Sequence, residues 1–150
     1  MRMSKRVLIT GGAGFIGSHL VRHFAGQAEV TVLDDLRSGY AHNLDGVACR
    51  FVRGSILDAK ALREAMADAE EVYHLAAMIS VPESVAKPAE CAELNTEGTR
   101  RVLDAAVAAG ARKVVLASSA AIYGDNPTVP KLESMTPEPK SPYAETKLAG

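Results

Sequence analysis

No apolar run in this chain approaches the roughly 18 residues that a transmembrane helix needs. The start, Met1-Arg2-Met3-Ser4-Lys5-Arg6, is basic, but only Val7-Leu8-Ile9 follows before glycines interrupt. A secretory signal requires an apolar stretch of about 7–15 residues, so none is expected. Charge of one sign is scarce too: 17 Lys and Arg face 18 Asp and Glu, for a formal net charge of −1. That balance argues against general nucleic-acid binding and against attachment to anionic membranes. Cysteine occurs twice, at Cys49 and Cys91, without metal-ligand spacing, and both read as small buried side chains. Internal repeats and low-complexity segments are missing. A hydrophobic fraction of 47% excludes a disordered chain, and 150 residues suffice for one domain. The expectation is a cytoplasmic globular protein.

What is present is an alternation. Val7-Leu8-Ile9, Val30-Thr31-Val32-Leu33, Phe51-Val52, Val72-Tyr73-His74-Leu75 and Val114-Val115-Leu116 read as buried strands. Between them, Phe15–Phe24 places Ile16, Leu20 and Phe24 on one helical face. A second helix carries Leu62 and Met66, with Asp58 as its N-cap. A third spans about Pro88 to Ala109, with Pro88 early, Gly110 beyond the end, and an apolar face of Cys91, Leu94, Leu103 and Val107. Alternating strands and helices predict an α/β fold of Rossmann type, a doubly wound parallel sheet with helices on both faces. Five of the seven prolines fall between Asp125 and Pro142, which reads as a long irregular loop, and a further helix starts at Tyr143.

Gly12-Ala13-Gly14-Phe15-Ile16-Gly17 satisfies G-x-G-x-x-G after a strand and before a helix, and Gly11, Gly14 and Gly17 add a three-residue spacing. Glycine there allows positive φ and lets backbone N–H groups approach a diphosphate at the positive helix end. Asp34 closes the second strand about 20 residues further on, where a carboxylate accepts from a ribose 2′-OH. Asp34 and Asp35 disfavour a 2′-phosphate, so NAD is preferred to NADP; Arg37 is the counter-signal and reads as a loop residue. His19 and His23 stand four residues apart, but without a third ligand they read as surface or packing residues, and no metal is expected. Asp34 and Asp35, adjacent in sequence, point apart and are a poor glycosidase pair.

Thr10–Gly17, Leu33-Asp34-Asp35-Leu36, His74-Leu75-Ala76-Ala77, Asn95-Thr96-Glu97-Gly98-Thr99, and Ser118–Gly124 followed by Ser141-Pro142-Tyr143 to Lys147 resemble, in order and spacing, the extended short-chain dehydrogenase/reductase family. The match is to its NAD-dependent epimerase/dehydratase group and covers the whole chain. The resemblance implies a nucleotide bed made by Gly11, Gly14, Phe15, Ile16 and Gly17 under the diphosphate. It implies Asp34, Asp35, Leu36, Arg37 and Ser38 around the adenosine ribose, and Leu75, Ala76, Ala77 and Asn95 along the cofactor. For Asn95 the alternative is a solvated helix residue. The family often has an acid after the third strand to bind adenine. Gly54-Ser55-Ile56 offers Ser55 and Ile56 instead, with Asp58 as a possible substitute. Met78-Ile79 also departs from a lysine common in hexose epimerases.

Tyr143 and Lys147 form Tyr-x-x-x-Lys, one helical turn apart. The resemblance implies that Tyr143 is a general base on a sugar hydroxyl and that the Lys147 ammonium favours its phenolate form. Ser119 would bond the reacting oxygen, while Ser118 supports the strand end. Dehydratases of the family place carboxylates just after the hydroxyl residue, but this chain has Ala120-Ala121, which cannot move a proton. Ser-Ala-Ala-Ile-Tyr-Gly is similar to hexose 4-epimerases. The implied activity is NAD-dependent 4-epimerisation of a UDP-hexose through a 4-keto sugar; a nucleotide-sugar reductase and a non-catalytic dinucleotide-binding module are the alternatives. Family members run on for about another domain's length. The expectation is therefore an NAD-binding domain over residues 1–150, truncated before its last strands and its substrate-binding part, with little turnover. The third strand-flanking helix and the helix at Tyr143 would pair in a homodimer of the full-length parent.

Overall fold

The apolar triplet Val7-Leu8-Ile9 forms the middle of a central strand because both of its faces are covered. Strand β1, Lys5–Thr10, buries these three residues to 1% exposure or less, the pattern of a parallel sheet packed on two sides. The computed structural model describes residues 5–150; the basic stretch Met1–Ser4, part of the signal-peptide argument, lies outside the described residues. These residues form two compact units, 5–76 with 100–117 and 77–99 with 118–150.

The first unit is a five-stranded, all-parallel sheet. Its strands are β1, β2 (Ala28–Asp34), β3 (Arg50–Arg53), β4 (Glu71–His74) and β5 (Lys113–Leu116), in the order β3-β2-β1-β4-β5. The order reverses between β1 and β4, the switch point of a doubly wound fold, where such sheets bind ligands beyond the carboxyl ends of their strands. Register places Thr10 beside both Leu33 and His74, so three strands end level around one loop. β3 and β5 are the edges, and an apolar residue of each, Phe51 and Val115, is exposed, which corrects their reading as wholly buried strands.

Helix α1, Phe15–Phe24, has the expected bounds, and of its expected face Leu20 and Phe24 pack, partly buried, against the core. Val21 packs on Val7 and Ile9 of β1 and Val30 and Val32 of β2, and Gly17 and Ser18 are buried with it. Ile16 is 62% exposed, so it does not belong to the core face. The reason is the glycines: helix and loop approach so closely that only Gly17 and Ser18 fit beneath. Helix α2, Ala59–Met66, starts at Asp58, whose Oδ1 accepts from the N–H groups of Lys60 and Ala61. Its Leu62 and Met66 are buried as expected.

In the second unit, a short helix that the sequence reading did not separate, α3 (Val81–Ala86), is capped by Ser80 Oγ. The expected third helix is α4 (Pro88–Ala92), a π turn (Glu93–Glu97) and α5 (Gly98–Ala108) in continuous succession. Gly98 N–H reaches back five residues to Glu93 O, and Thr99 Oγ1 donates to Asn95 O at 2.5 Å. The apolar face is corrected accordingly: Cys91 and Leu94 are buried, but Val102 and Ala106 replace Leu103 and Val107, the last being 80% exposed. Residues 125–141 form no helix or strand, as the prolines suggested. The final helix, α6 (Pro142–Ala149), is capped by Ser141 Oγ on Ala144 N–H.

Candidate functional site

The β1–α1 loop is built to leave backbone exposed. Gly11 adopts φ +69°, and its N–H is held by Leu33 O at 2.8 Å. A β-carbon on Gly11 would sit 2.8 Å from Ala76 N. On Gly17 it would sit 2.2 Å from Gly11 O and 2.7 Å from Gly12 Cα. Gly14 caps α1 without any side-chain hydrogen bond, and Phe15 and Ile16 turn outward. The first-turn N–H groups thus receive no side-chain cap, at the end of the helix that favours anions.

Asp34 fastens this loop. It is 8% exposed; Oδ2 accepts from Ala13 N–H (2.9 Å) and Oδ1 from Leu36 N–H (2.8 Å). Each carboxylate oxygen keeps a further lone-pair site for a hydroxyl donor. Asp35 Oδ1 accepts from Arg37 N–H, Leu36 takes φ +62°, and Asp35, Arg37 and Ser38 are exposed. Sequence reasoning missed three supports of the same loop. Gly39 approaches Ala13 so closely that a β-carbon would lie 2.8 Å from its carbonyl carbon, while Tyr40 N–H and Asn43 Nδ2 both donate to Ala13 O. Only the Ser38-Gly39 turn signal hinted at this.

After β3, Ser55 Oγ accepts from Leu57 N–H at 3.1 Å, and Ile56 is buried, so it offers backbone rather than side chain. Asp58 Oδ1 accepts from two amides of α2 as that helix's N-cap, and the residue is exposed. At the end of β4, Leu75 and Ala76 N–H groups reach Thr10 Oγ1 at 3.2 Å each. Those lone pairs being taken, the Thr10 hydroxyl donates to His74 Nδ1 at 2.6 Å. Thr10 and His74 were not singled out from sequence; the signal was a polar residue ending each of two neighbouring strands after an apolar stretch. Ala77 follows, half-buried.

The second unit carries the titratable pair. Tyr143 lies in the first turn of α6 and Lys147 one turn later, with Lys147 Nζ 5.9 Å from the Tyr143 ring centroid. Burial pushes the Lys147 ammonium below the ordinary lysine range, and the Cys91 thiol opposes that in part. Between the lowered folded value and the ordinary one, the unfolded chain binds more protons, so this group adds stability as pH rises through that window. Lys147→Met is accordingly expected to stabilise the chain near neutral pH, with the gap closing as pH approaches roughly 10. A pH-independent difference in urea midpoints between the two proteins would overturn this.

Ser119 caps a 3₁₀ turn over Ala120–Tyr123, its Oγ accepting from Ala121 N–H at 3.1 Å, which leaves its proton for another acceptor. Ser118 is exposed, and its hydroxyl points to Lys147 O at 3.5 Å rather than supporting the strand. Asn95 is no solvated helix residue. It is 4% exposed; Oδ1 accepts from Met78 N–H (2.7 Å), and Nδ2 donates to Met78 O (3.0 Å) and Thr146 Oγ1 (3.1 Å). A carboxamide so occupied ties the segment after β4 to α6. Asn95→Ala leaves both polar groups of Met78 unpaired and is expected to cost about 2 kcal/mol, readable by urea denaturation.

His19 Nδ1 lies 2.8 Å from Phe15 O, and among the described residues no group of three potential ligands could hold a metal. Nor is any described helix long and apolar enough to cross a membrane. The cysteines are free; Cys91 is buried, whereas Cys49 is only partly so, a correction to its expected burial.

A family model for the NAD dependent epimerase/dehydratase family matches residues 7–150. The chain is 46% identical to a UDP-glucose 4-epimerase of Mycolicibacterium smegmatis, covering 97% of this chain and 49% of that one. The structure is similar to UDP-glucose 4-epimerase from Brucella ovis in complex with NAD, with a TM-score of 0.89, 38% identity, and coverage of 97% and 45% of the two chains. It is similar also to UDP-N-acetylglucosamine 4-epimerase from Methanobrevibacter ruminantium in complex with UDP-N-acetylmuramic acid, with a TM-score of 0.91, 38% identity, and coverage of 97% and 48%. The chain spans about half the length of the relatives it matches. With a family model matching nearly its whole length, the chain belongs to the NAD dependent epimerase/dehydratase family.

Proposed function

We propose that the whole protein is an NAD-dependent nucleotide-sugar 4-epimerase acting on UDP-hexoses, of which residues 1–150 are the NAD-binding part. The observation that carries this reading is a helix start stripped of side chains by Gly11 and Gly17 in a chain that also bears Tyr143 and Lys147 on one helix. The residues fit a dinucleotide. Gly11, Gly14, Phe15, Ile16 and Gly17 would hold the diphosphate by backbone N–H groups, and Asp34 through Ser38 would hold the ribose, Asp34 accepting with its remaining lone pairs. Ser55 and Ile56 would flank the adenine, and Leu75, Ala76 and Ala77 the nicotinamide half. Asn95 serves the site by fixing Met78 and Thr146.

When bound, NAD would supply the hydride acceptor and donor at the sugar carbon. Tyr143 would take the proton of the sugar hydroxyl as general base and return it afterwards as general acid. Lys147 supplies the positive charge that favours the phenolate, and Ser119 donates to the sugar oxygen. Ala120 and Ala121 supply no acid or base at neighbouring carbons, which supports epimerisation over dehydration. Exposed Leu103 and Val107 on α5 support a homodimer, and the use of NAD and nucleotide sugars supports a cytoplasmic location.

The test is to incubate the full-length protein with UDP-glucose and follow UDP-galactose without added reductant. Interconversion with no net change in NADH is expected. Consumption of NAD(P)H would favour the reductase reading, and NAD binding without turnover a non-catalytic module.

A further inference from the structure

Tyr143 is gripped through its backbone by two buried hydroxyls. Its N–H donates to Ser84 Oγ at 3.2 Å, and its carbonyl accepts from Thr146 Oγ1 at 2.7 Å. Both hydroxyls are themselves tied down: Ser84 donates to Val81 O at 2.7 Å, and Thr146 accepts from Asn95 Nδ2 at 3.1 Å. Ser84 is wholly buried and Thr146 is 7% exposed.

The first-turn N–H groups of a helix have no partner within it. In α6, Ser141 serves Ala144, so the Tyr143 N–H needs an acceptor from elsewhere, and Ser84 on α3 is that acceptor. On the other side, a threonine bonding a carbonyl three residues back competes with the helix ladder and tends to bend it. Here Asn95, in the π turn, fixes that threonine hydroxyl by donating to it. Alanine at 84 and valine at 146 would fill these places without burying polar groups, which cost free energy unless satisfied. The N–H and carbonyl of Tyr143 are thus both held, which fixes the direction in which its side chain leaves the helix.

We infer that Ser84 and Thr146 are positioning residues for the Tyr143–Lys147 pair, acting through the backbone of Tyr143. The effect on turnover rests on the proposed epimerase reading, whereas the grip itself belongs to this chain alone. In the 150-residue chain, Ser84→Ala is expected to speed amide hydrogen exchange at Tyr143 about tenfold, with β1 amides unchanged. Ser84→Cys, which keeps the volume and weakens the acceptor, gives the same result should the alanine variant not fold.

In the full-length protein, Thr146→Val is expected to lower kcat on the order of tenfold to a hundredfold with KM within about twofold, and Thr146→Ser to restore it. A purely structural role would change melting temperature and leave that split and rescue absent. Unchanged Tyr143 exchange in both Ser84 variants overturns the grip, and equal kcat loss in Thr146→Val and Thr146→Ser overturns the positioning role. Absence of turnover in the unmutated full-length protein, with the exchange result intact, overturns the proposed function instead.

Discussion

Gly17→Ala is expected to destabilise the chain by about 3 kcal/mol and to abolish dinucleotide binding. The added β-carbon would meet Gly11 O at 2.2 Å, Gly12 Cα at 2.7 Å and Gly11 C at 2.9 Å. All three are backbone atoms, so no rotamer change relieves the contact; the loop or α1 must move. Gly11 cannot retreat, because its own N–H is bonded to Leu33 O and its Cα faces Ala76 N. For a chain of this size the loss corresponds to a fall in melting temperature of roughly 6–12 °C. Because the same movement displaces the N–H groups at the start of α1, NAD affinity should fall by at least about a hundredfold. Gly26→Ala is the control. Gly26 also has positive φ, +80°, but nothing lies within 4 Å of the added atom, so only a backbone cost of about 1 kcal/mol remains and binding is untouched. Calorimetry on the two variants decides; equal melting and equal NAD affinity in Gly17→Ala and the unmutated chain would sink the account of the loop.

Tyr143→Phe in the full-length protein is expected to reduce turnover by about 10²- to 10⁴-fold, the usual worth of a positioned acid–base group. Stability and NAD binding should hardly change. The hydrogen bonds that place Tyr143 run through its N–H and carbonyl, to Ser84 and from Thr146, and phenylalanine keeps both. The ring also stays beneath Lys147 Nζ, so the lysine keeps its packing. Combined with Lys147→Met, the loss should be far from additive, since two residues acting as one unit fail together. Epimerisation at more than half the normal rate in Tyr143→Phe would falsify the assignment of the base.

The elements were legible because their causes are local. Val7-Leu8-Ile9 is an uninterrupted apolar run and Val30-Thr31-Val32-Leu33 nearly one, as a sheet covered on both faces requires, and the glycines before Phe15 announced where a helix must approach backbone. Asp34 was legible as the acid ending the second strand. Its other task was not: holding Ala13 depends on a loop 21 residues away in sequence. Asn95 shows the same limit more sharply. Its pattern suggested a cofactor contact or a solvated position, yet its carboxamide is consumed by Met78 and Thr146, which only folding brings to it. Leu103 and Val107 looked like core and are exposed, because helical spacing alone does not say which stripe meets the sheet, and the π turn at 93–97 resets the phase.

The amino-acid sequence by itself determined the parallel α/β architecture, the bare glycine turn and the one-turn spacing of Tyr143 and Lys147. Each follows from steric and hydrophobic patterns within about twenty residues. Tertiary structure alone decided what holds those parts in place: Thr10 with His74, Asp34 with Ala13, and Ser84, Asn95 and Thr146 around Tyr143. Such bonds join groups distant along the chain, and a buried hydroxyl or carboxamide takes whichever partner packing leaves beside it, because leaving it unpaired costs more than any local preference can offset.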